Sequence, residues 1–257
     1  MENIREITQA EINIPKSYLN CQITSWGRMF CDIENKDSYA SNYAVINNNK
    51  NLENAIKEID KFYNDRGIKP KIFNRIDSLE LDVLRNYFKD NDYKIREFEL
   101  ERMILDMKGK IYCAEINNVK NCDIKKENKI LKGKEYDLAV EQDEGDTYGV
   151  IQLNKQIASG GIMFFAYDEF NNPASMALGE KYNDVVYISN VYTTPSMRRM
   201  GYGLSVMNSL LSHYKDSVFY LYSSNPEAIS IYNKLGFKGH NLKSWWAIKG
   251  ELPEWCK

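Results

Sequence analysis

Apolar side chains recur every three or four residues in four parts of the chain, and this spacing predicts four amphipathic helices. Three of the patterns cover Leu52–Phe62, Leu79–Lys89 and Gly203–Tyr214. The fourth follows Asn225 and Pro226, an asparagine suited to an N-cap and a proline suited to the first helical position. These two residues therefore mark the start of a helix.

Short apolar stretches separate the helices and predict strands. They cover Tyr18–Asp32, Tyr39–Ile46, Pro70–Ile76, Phe98–Leu105, Cys122–Ile124, Gly161–Tyr167, Ala174–Glu180, Val185–Thr193, Val218–Tyr222 and Ser244–Ile248. An acidic region at Lys134–Ser159 has a helical pattern. Because helices and strands alternate along the chain, we predict an α/β (α+β) fold with a sheet flanked by helices.

The stretch Met107–Lys120 carries little apolar periodicity and lies between two well-patterned regions. We therefore predict one domain over residues 1–110 and a second over residues 111–257. No linker rich in proline, glycine or serine separates them, so we expect the two halves to pack together.

The composition restricts the possible functions. The chain has 257 residues, 43% of them hydrophobic and 27% charged, and a net charge of -2. Such a charge gives no bulk attraction to nucleic acid or to an anionic membrane. Five scattered cysteines and two histidines argue against a disulfide framework and a zinc site. The same residues predict a protein without a metal. The charged N-terminus and the lack of a long apolar run predict a cytoplasmic location.

The most informative stretch is a strand that leads through a glycine turn into a helix. Pro195 blocks continuation of the strand, and Gly201 and Gly203 permit a tight turn. A helix that begins after such a turn presents unpaired N–H groups, which together with the helix dipole bind anions. Arg198 and Arg199 add positive charge, so we predict a phosphate or pyrophosphate site.

Two nucleotide-binding motifs do not fit this turn. A dinucleotide fingerprint needs a third glycine at position 206, which Val206 occupies. A Walker loop needs Gly-Lys-Ser/Thr after the second glycine, and Leu204 and Ser205 do not supply it. Both classes are therefore excluded.

Arg198-x-x-Gly201-x-Gly203 fits R/Q-x-x-G-x-G/A, the pyrophosphate loop of the GNAT acetyltransferase superfamily. Downstream, the string Asn225–Phe237 resembles the N-x-x-A-x-x-x-Y-x-x-x-G-F signature of that family. With both motifs in the family's order, the chain resembles a GNAT protein over Asn118–Lys257.

The resemblance implies a GNAT-type mixed central sheet that binds acetyl-CoA between two parallel, splayed strands, Val185–Thr193 and Val218–Tyr222. The cofactor-binding residues that it implies are Val191, Tyr192, Thr193, Arg198, Arg199, Met200, Gly201, Tyr202, Gly203, Leu204, Asn225 and Tyr232. The first three would bind the pantetheine arm through their backbone, and the loop amides would hold the pyrophosphate. A side chain in place of Gly203 is expected to occupy the pyrophosphate position.

The implied chemistry is direct attack of a neutral amine on the thioester, with Tyr232 protonating the departing thiolate. A general base is harder to assign, because Val185–Pro195 contains no carboxylate. The polar side chains of this strand that could relay a proton through water are Tyr187, Ser189 and Asn190. Glu180 and Asp184 flank the strand and are the alternative bases.

The first half resembles a degenerate copy of the second half in the pattern of its elements. The helix–turn–strand segments that end in Tyr93–Met103 and Phe237–Ala247 have the same spacing. Phe88, which cannot donate a proton, stands at the position that corresponds to Tyr232. If the half is a duplicated GNAT unit, it has lost the chemistry.

The acceptor is expected to be a small-molecule or peptide amine, bound by a monomer or homodimer. An acidic loop at residues 141–146 carries carboxylates that could attract a cationic amine or could simply be solvated. Two other functions stay open: a non-catalytic acyl-CoA-binding or regulatory protein, and a transferase that uses another acyl donor.

Overall fold

The computed structural model of the protein describes residues 3–109 and 120–253. The helices are α1 Ile4–Lys16, α2 Leu52–Asn64, α3 Leu81–Asp90, α4 Lys134–Gln142, α5 Tyr148–Ala158, α6 Tyr202–His213 and α7 Pro226–Lys234. The strands are β1 Asn20–Ile23, β2 Gly27–Cys31, β3 Tyr43–Ile46, β4 Lys71–Phe73, β5 Tyr93–Asp106, β6 Ile124–Glu127, β7 Ile162–Tyr167, β8 Pro173–Tyr182, β9 Val185–Thr193, β10 Val218–Ser223 and β11 Lys238–Lys249. This mixed α/β architecture confirms the predicted fold class.

The described residues form two compact units. The first unit contains residues 3–18, 100–109 and 120–242, and the second contains residues 19–99 and 243–253. The predicted boundary at residues 110 and 111 lies outside the described residues. Both ends of the chain differ from the predicted division. The N-terminal helix α1 belongs to the first unit, where it packs against β8 and β9. The end of β11 belongs to the second unit, where it pairs with β4.

The first unit has a mixed sheet with the strand order β5-β10-β9-β8-β7-β6. Its pairs are antiparallel except for β9 and β10, which run parallel. On one face, α6 and α7 cover a core cluster that includes Phe164, Val186, Phe219 and Tyr232. On the opposite face, α4 and α5 cover a second cluster, and α1 packs on β8 and β9.

The second unit has the strand order β1-β2-β3-β4-β11, with β3 and β4 parallel. Its core cluster lies beneath α2 and α3 and contains Ile56, Phe88, Tyr93 and Trp245. The cluster holds large side chains with almost no exposed surface. The second unit therefore has a hydrophobic core of its own.

The two helix–turn–strand segments that share their spacing also share local geometry. Asp92 and Gly236, which directly precede Tyr93 and Phe237, both have positive φ, at 56° and 92°. Phe88 packs on Tyr93 with ring centroids 5.7 Å apart, and Tyr232 packs on Phe237 at 5.9 Å. This likeness supports a duplication, which stays a prediction.

Three sequence predictions were wrong in detail. Tyr18–Asp32 is a hairpin rather than one strand, because a turn between Thr24 and Gly27 closes on hydrogen bonds between these two residues. Lys134–Ser159 divides into α4 and α5 at Glu144 and Gly145, which have positive φ. Helix α1 was not predicted at all.

Candidate functional site

The parallel strands β9 and β10 pair at one end and then part. Their register joins Val218 to Val185 and ends with Tyr220 opposite Tyr187. Beyond this pair, β9 has no β10 partner within the described residues. The sequence-based expectation of two adjacent parallel strands that splay matches this arrangement, which leaves a gap between them.

A β-bulge lies in β9 next to the gap. Met176 of β8 pairs with Tyr192, but Leu178 pairs with Ser189, so one residue of β8 faces two residues of β9. Asn190, at the bulge, has a φ of 51°, a backbone conformation that asparagine tolerates better than most residues. Since a bulge bends its strand, Asn190 helps β9 to diverge from β10.

The loop after β9 presents a run of unpaired backbone N–H groups. Arg198 N–H donates to the carbonyl of Pro195, and Ser205 N–H donates to that of Gly201. Between them, the amides from Arg199 to Leu204 have no acceptor in the part of the chain that the structure describes. Left-handed φ angles at Arg199 and Gly201 turn this segment into the first turn of α6. Unpaired amides at a helix N-terminus are the kind of groups that favour an anion.

The two loop arginines have different surroundings. Arg198 donates from Nε to the carbonyl of Thr193 at 3.2 Å. The Arg199 side chain is 89% exposed and lies 3.6 Å from the carboxylate of Glu227 in the first turn of α7. Met200 is also exposed, whereas Tyr202 is buried in the core under α6. Tyr202 can thus contribute only its backbone to a ligand.

A side chain in place of Gly203 would point toward the sheet, which differs from the expectation that it would occupy the pyrophosphate position. A Cβ at this position would lie 3.1 Å from Thr193 Oγ1 and 3.9 Å from Ser175 Oγ. The Thr193 and Ser175 hydroxyls are 2.9 Å apart, and Ser175 Oγ also donates to the carbonyl of Tyr192 at 2.7 Å. A side chain at 203 would press on this hydroxyl pair instead of filling the pyrophosphate position.

Asn225 and Tyr232 lie on α7. The Asn225 side-chain oxygen caps the helix by accepting from the N–H groups of Glu227 and Ala228. Tyr232 is 5% exposed, and burial raises its pKa to about 12. Within the described residues its hydroxyl has no hydrogen-bond partner, yet it is not among the fully enclosed polar atoms. The phenol is therefore protonated at neutral pH and free to donate.

Glu180 and Tyr187 lie opposite each other in the β8–β9 register and share a face of the sheet. Glu180 is 4% exposed, and burial raises its pKa to about 8, although a hydrogen bond of 2.8 Å from Gln156 acts in the opposite direction. Asp184, the other candidate base, is 70% exposed at its side chain and lies 3.8 Å from Lys108. The raised pKa of the buried Glu180 suits a base at neutral pH.

The candidate acid and base lie on opposite faces of the sheet. Tyr232 belongs to the core cluster beneath α6 and α7. Glu180 contacts Gln156 of α5, on the other face. The gap between β9 and β10 is the place where a ligand could reach both sides.

The acidic loop is attached to the end of β9. Glu141 accepts from the Tyr192 hydroxyl at 3.1 Å and from the Thr194 hydroxyl at 3.4 Å. Burial and the neighbouring Asp146 raise the pKa of Asp143. The loop is thus partly structural, and Glu141 is not simply solvated.

Sequence reasoning missed two charged side chains on the face that α1 covers. Glu11 of α1 is 5% exposed and accepts from the Tyr222 hydroxyl. Arg102 of β5 is 9% exposed and pairs with Tyr222 in the strand register. Isolated charges in unremarkable contexts carry no motif, so only the sheet register brings them to notice.

Comparison with known families decides how this arrangement is classified. Residues 128–237, which include the loop, α6 and α7, match the acetyltransferase (GNAT) family. Residues 128–237, less than half of the chain, form a GNAT acetyltransferase domain. Both motifs that suggested the resemblance lie within the matched residues of this GNAT domain. A comparison with curated proteins found no match.

Solved structures with this fold match nearly the whole chain, at low sequence identity. A GCN5-related N-acetyltransferase from Kribbella flavida has a TM-score of 0.67 at 12% identity, over 96% of this chain and 95% of the other. A conserved protein of unknown function from Staphylococcus epidermidis has a TM-score of 0.64 at 14% identity, over 91% and 95%. A tandem GNAT protein from the clavulanic acid biosynthesis pathway has a TM-score of 0.58 at 11% identity, over 88% and 75%. These likenesses concern the fold.

Neither a metal centre nor a membrane-spanning helix is found in the described residues. No group of three or more histidine, cysteine, aspartate or glutamate side chains there could hold a metal ion. None of the helices in residues 3–109 and 120–253 is long and apolar enough to cross a membrane.

Proposed function

We propose that the protein transfers an acetyl group from acetyl-CoA to a primary amine, with both reactants bound at once. The run of unpaired amides from Arg199 to Leu204, directly after the parted strand β9, carries this proposal. The GNAT match over residues 128–237 supports it. Acetyl-CoA would supply an activated thioester carbonyl.

The loop and β9 would hold the donor. The amides from Arg199 to Leu204 fit the pyrophosphate, since a helix N-terminus favours negative charge. Backbone groups of Val191 and Thr193 fit the pantetheine arm as an added strand would. The Tyr192 carbonyl already accepts from Ser175 and the Thr193 carbonyl from Arg198, so these two carbonyls have less capacity left for the arm. Asn225 keeps its side-chain NH₂ for the same arm.

Tyr232 would act on the leaving thiolate. A phenol with a pKa of about 12 donates a hydrogen bond throughout the neutral range. Complete proton transfer to a thiolate of pKa ~8.5 would be uphill by about 5 kcal/mol, at ~1.36 kcal/mol per pKa unit. Tyr232 therefore stabilises the thiolate chiefly as a hydrogen-bond donor.

Glu180 would act as the base, with Tyr187 as a relay. A lysine-like amine has a pKa of ~10.4, so the neutral form costs about 4–5 kcal/mol at pH 7. A carboxylate whose pKa is about 8 is far better matched to this task than an ordinary glutamate. Tyr187 lies opposite Glu180 and next to the gap, and a tyrosine can pass a proton through water.

Two alternatives have specific support. The absence of a carboxylate on β9 itself favours an acyl-CoA-binding or regulatory protein. An acyl donor other than acetyl-CoA is compatible with the same loop, because the loop amides would contact only the phosphates. Cytoplasmic location and a monomeric or dimeric state remain part of the proposal.

Binding and turnover measured on the full chain separate these functions. Acetyl-CoA and coenzyme A should each raise the melting temperature, and thiol release with a panel of amines should follow. Coenzyme A binding without turnover of any amine would favour the regulatory function, and stronger stabilisation by bulkier thioesters would favour another donor. If no CoA thioester shifted the melting temperature, the assignment of the loop would be wrong.

A further inference from the structure

Arg102 is a buried cation without a counter-ion in residues 3–109 and 120–253. It lies on β5 with 9% of its surface exposed. Its Nε has no hydrogen-bond partner, and the ion pairs and cation–π contacts of these residues do not include it. A buried guanidinium is costly unless it is paired, so Arg102 calls for an anion from elsewhere.

The strand register places Arg102 on the face of the sheet that α1 covers. Its neighbour Met103 belongs to the core cluster on the other face, beneath α6 and α7, and side chains alternate along a strand. Across the ladder, Arg102 pairs with Tyr222 of β10. The Tyr222 hydroxyl in turn donates to Glu11 of α1. A cation, a phenol and a carboxylate are thus adjacent on this face.

The same face includes the place where β9 and β10 part. The last parallel pair, Tyr187 and Tyr220, has its rings stacked with centroids 4.9 Å apart. Tyr222 follows two residues later and packs edge-on against Tyr220 at 6.1 Å. Arg102 is therefore only one strand away from the opening of the gap.

The phosphates of acetyl-CoA would bind elsewhere. The unpaired amides proposed to hold these phosphates lie at the start of α6. The core cluster beneath α6 occupies the opposite face of the sheet. Tyr232, the proposed donor to the thiolate, is on that opposite face as well. A cation beneath α1 is therefore placed for the other reactant.

We propose that Arg102 binds a carboxylate of the amine acceptor, so that the acceptor is an amino-carboxylic acid. This proposal rests on the acetyl transfer proposed above. The guanidinium fork matches a carboxylate with two parallel hydrogen bonds. Glu11, which accepts from the Tyr222 hydroxyl on the same face, would attract the ammonium group and repel the second charge of a phosphate.

The test compares matched acceptors on the full-length protein. Proteinogenic L-amino acids and straight-chain ω-amino acids are each assayed beside their carboxamides, with thiol release from acetyl-CoA as the signal. We expect at least one acid to exceed its amide in kcat/KM by about 10- to 150-fold, the range for a charge-assisted hydrogen bond. Arg102→Gln should abolish this preference mainly through KM, and Arg102→Lys should retain part of it.

A control variant and the melting temperature separate recognition from structure. Arg96→Gln removes an exposed arginine from the same strand and should leave the preference unchanged. Arg102→Gln removes an uncompensated buried charge, so its melting temperature should equal or exceed that of the wild type. A marked fall in melting temperature would point to a structural partner and would count against the proposal.

The remaining outcomes are also decisive. Equal rates for acids and amides, turnover only of amines without a carboxylate, or no turnover of any amine while coenzyme A still binds would each overturn the acceptor assignment. In the first two cases acetyl transfer to amines would stand. Failure of every CoA thioester to bind, measured separately by thermal shift, would instead overturn the proposed function itself.

Discussion

Arg199 and Glu227 form an ion pair of 3.6 Å that joins the loop before α6 to the first turn of α7. It connects the two sequence motifs directly. Both side chains are largely exposed, at 89% and 75%, so the pair contributes little to folding. Its significance lies in the position of the positive charge beside the unpaired amides.

Neutralising Arg199 and neutralising Glu227 should have different effects on coenzyme A binding. Arg199→Gln removes positive charge from the proposed phosphate site and should weaken binding roughly two- to fivefold, within the range for exposed charges. Glu227→Gln releases Arg199 and should leave binding equal or tighter. Titration calorimetry at low and high salt measures both, and melting temperatures should stay within about 3 °C. Equal weakening by both variants would contradict this role.

Tyr232→Phe should lower turnover much more than binding. The substitution removes one hydroxyl and preserves the packing on Phe237. We expect kcat to fall by about 10- to 100-fold, typical of a lost acid or hydrogen-bond donor, with the affinity for coenzyme A nearly unchanged. Steady-state kinetics and a binding titration give the two numbers, and an unaltered kcat would exclude Tyr232 from the chemistry.

Glu180→Gln should change the pH dependence of both activity and stability. With a folded-state pKa of about 8, the wild type should gain kcat/KM as pH rises through 8, and the variant should lack this rise. The folded wild type keeps a proton that the unfolded chain releases near pH 4.3, so its stability should decline between about pH 5 and 8. The amide that replaces the carboxylate would keep the hydrogen bond from Gln156.

Unfolding free energies measured across pH test the predicted change in stability. Relative to the wild type, Glu180→Gln should gain a few kcal/mol from pH 5 to pH 8 and then no more. Asp184→Asn, at an exposed carboxylate, is the matched control and should show neither effect. A constant difference between Glu180→Gln and the wild type would mean that Glu180 titrates normally.

Gly203→Ala and Thr193→Ala should be coupled. The new Cβ would meet Thr193 Oγ1 at 3.1 Å, so Gly203→Ala alone should displace the loop slightly and weaken coenzyme A binding several-fold. Removing the hydroxyl through Thr193→Ala makes room for the methyl group. The double variant should therefore bind better than the sum of the two changes predicts, by about 0.5–3 kcal/mol. Strict additivity would show that Gly203 does not act through Thr193.

Lys71 should make the second unit less stable at neutral pH than at alkaline pH. Lys71 is 1% exposed, and burial lowers its pKa to about 7, so the unfolded chain binds one more proton between pH 7 and about 10.5. Lys71→Met should exceed the wild type in stability at pH 7 by a few kcal/mol, less the loss of the contact with Tyr39. The difference should shrink as pH rises. The exposed Lys57→Met is the control in denaturant titrations.

The sequence predicted those parts of the site that depend on neighbours along the chain. The turn at Gly201, the start of α6 and the capped start of α7 at Asn225 follow from local backbone preferences, and the structure has each of them. Strand β9 was predicted with its observed bounds. Local physics also places Tyr232 on the buried side of α7.

Relationships across the sheet could not be predicted in this way. Glu11 and Tyr222 are 211 positions apart, and Arg102 meets Tyr222 only through the pairing of β5 with β10. The direction of the absent side chain at Gly203 depends on how closely α6 approaches β8 and β9. For α1 the sequence does carry a signal, because Ile7, Ala10 and Ile14 are spaced for one face of a helix.

The place of β5 and α1 in the first unit limits how the protein could be shortened. A fragment restricted to residues 128–237 would lack β5, and β10 would become a bare strand edge from Val218 to Ser223. Such an edge invites pairing with other chains. Without α1, apolar surface on β8 and β9 would also meet water. Solubility of the GNAT domain therefore depends on chain segments that a division by sequence motif would discard.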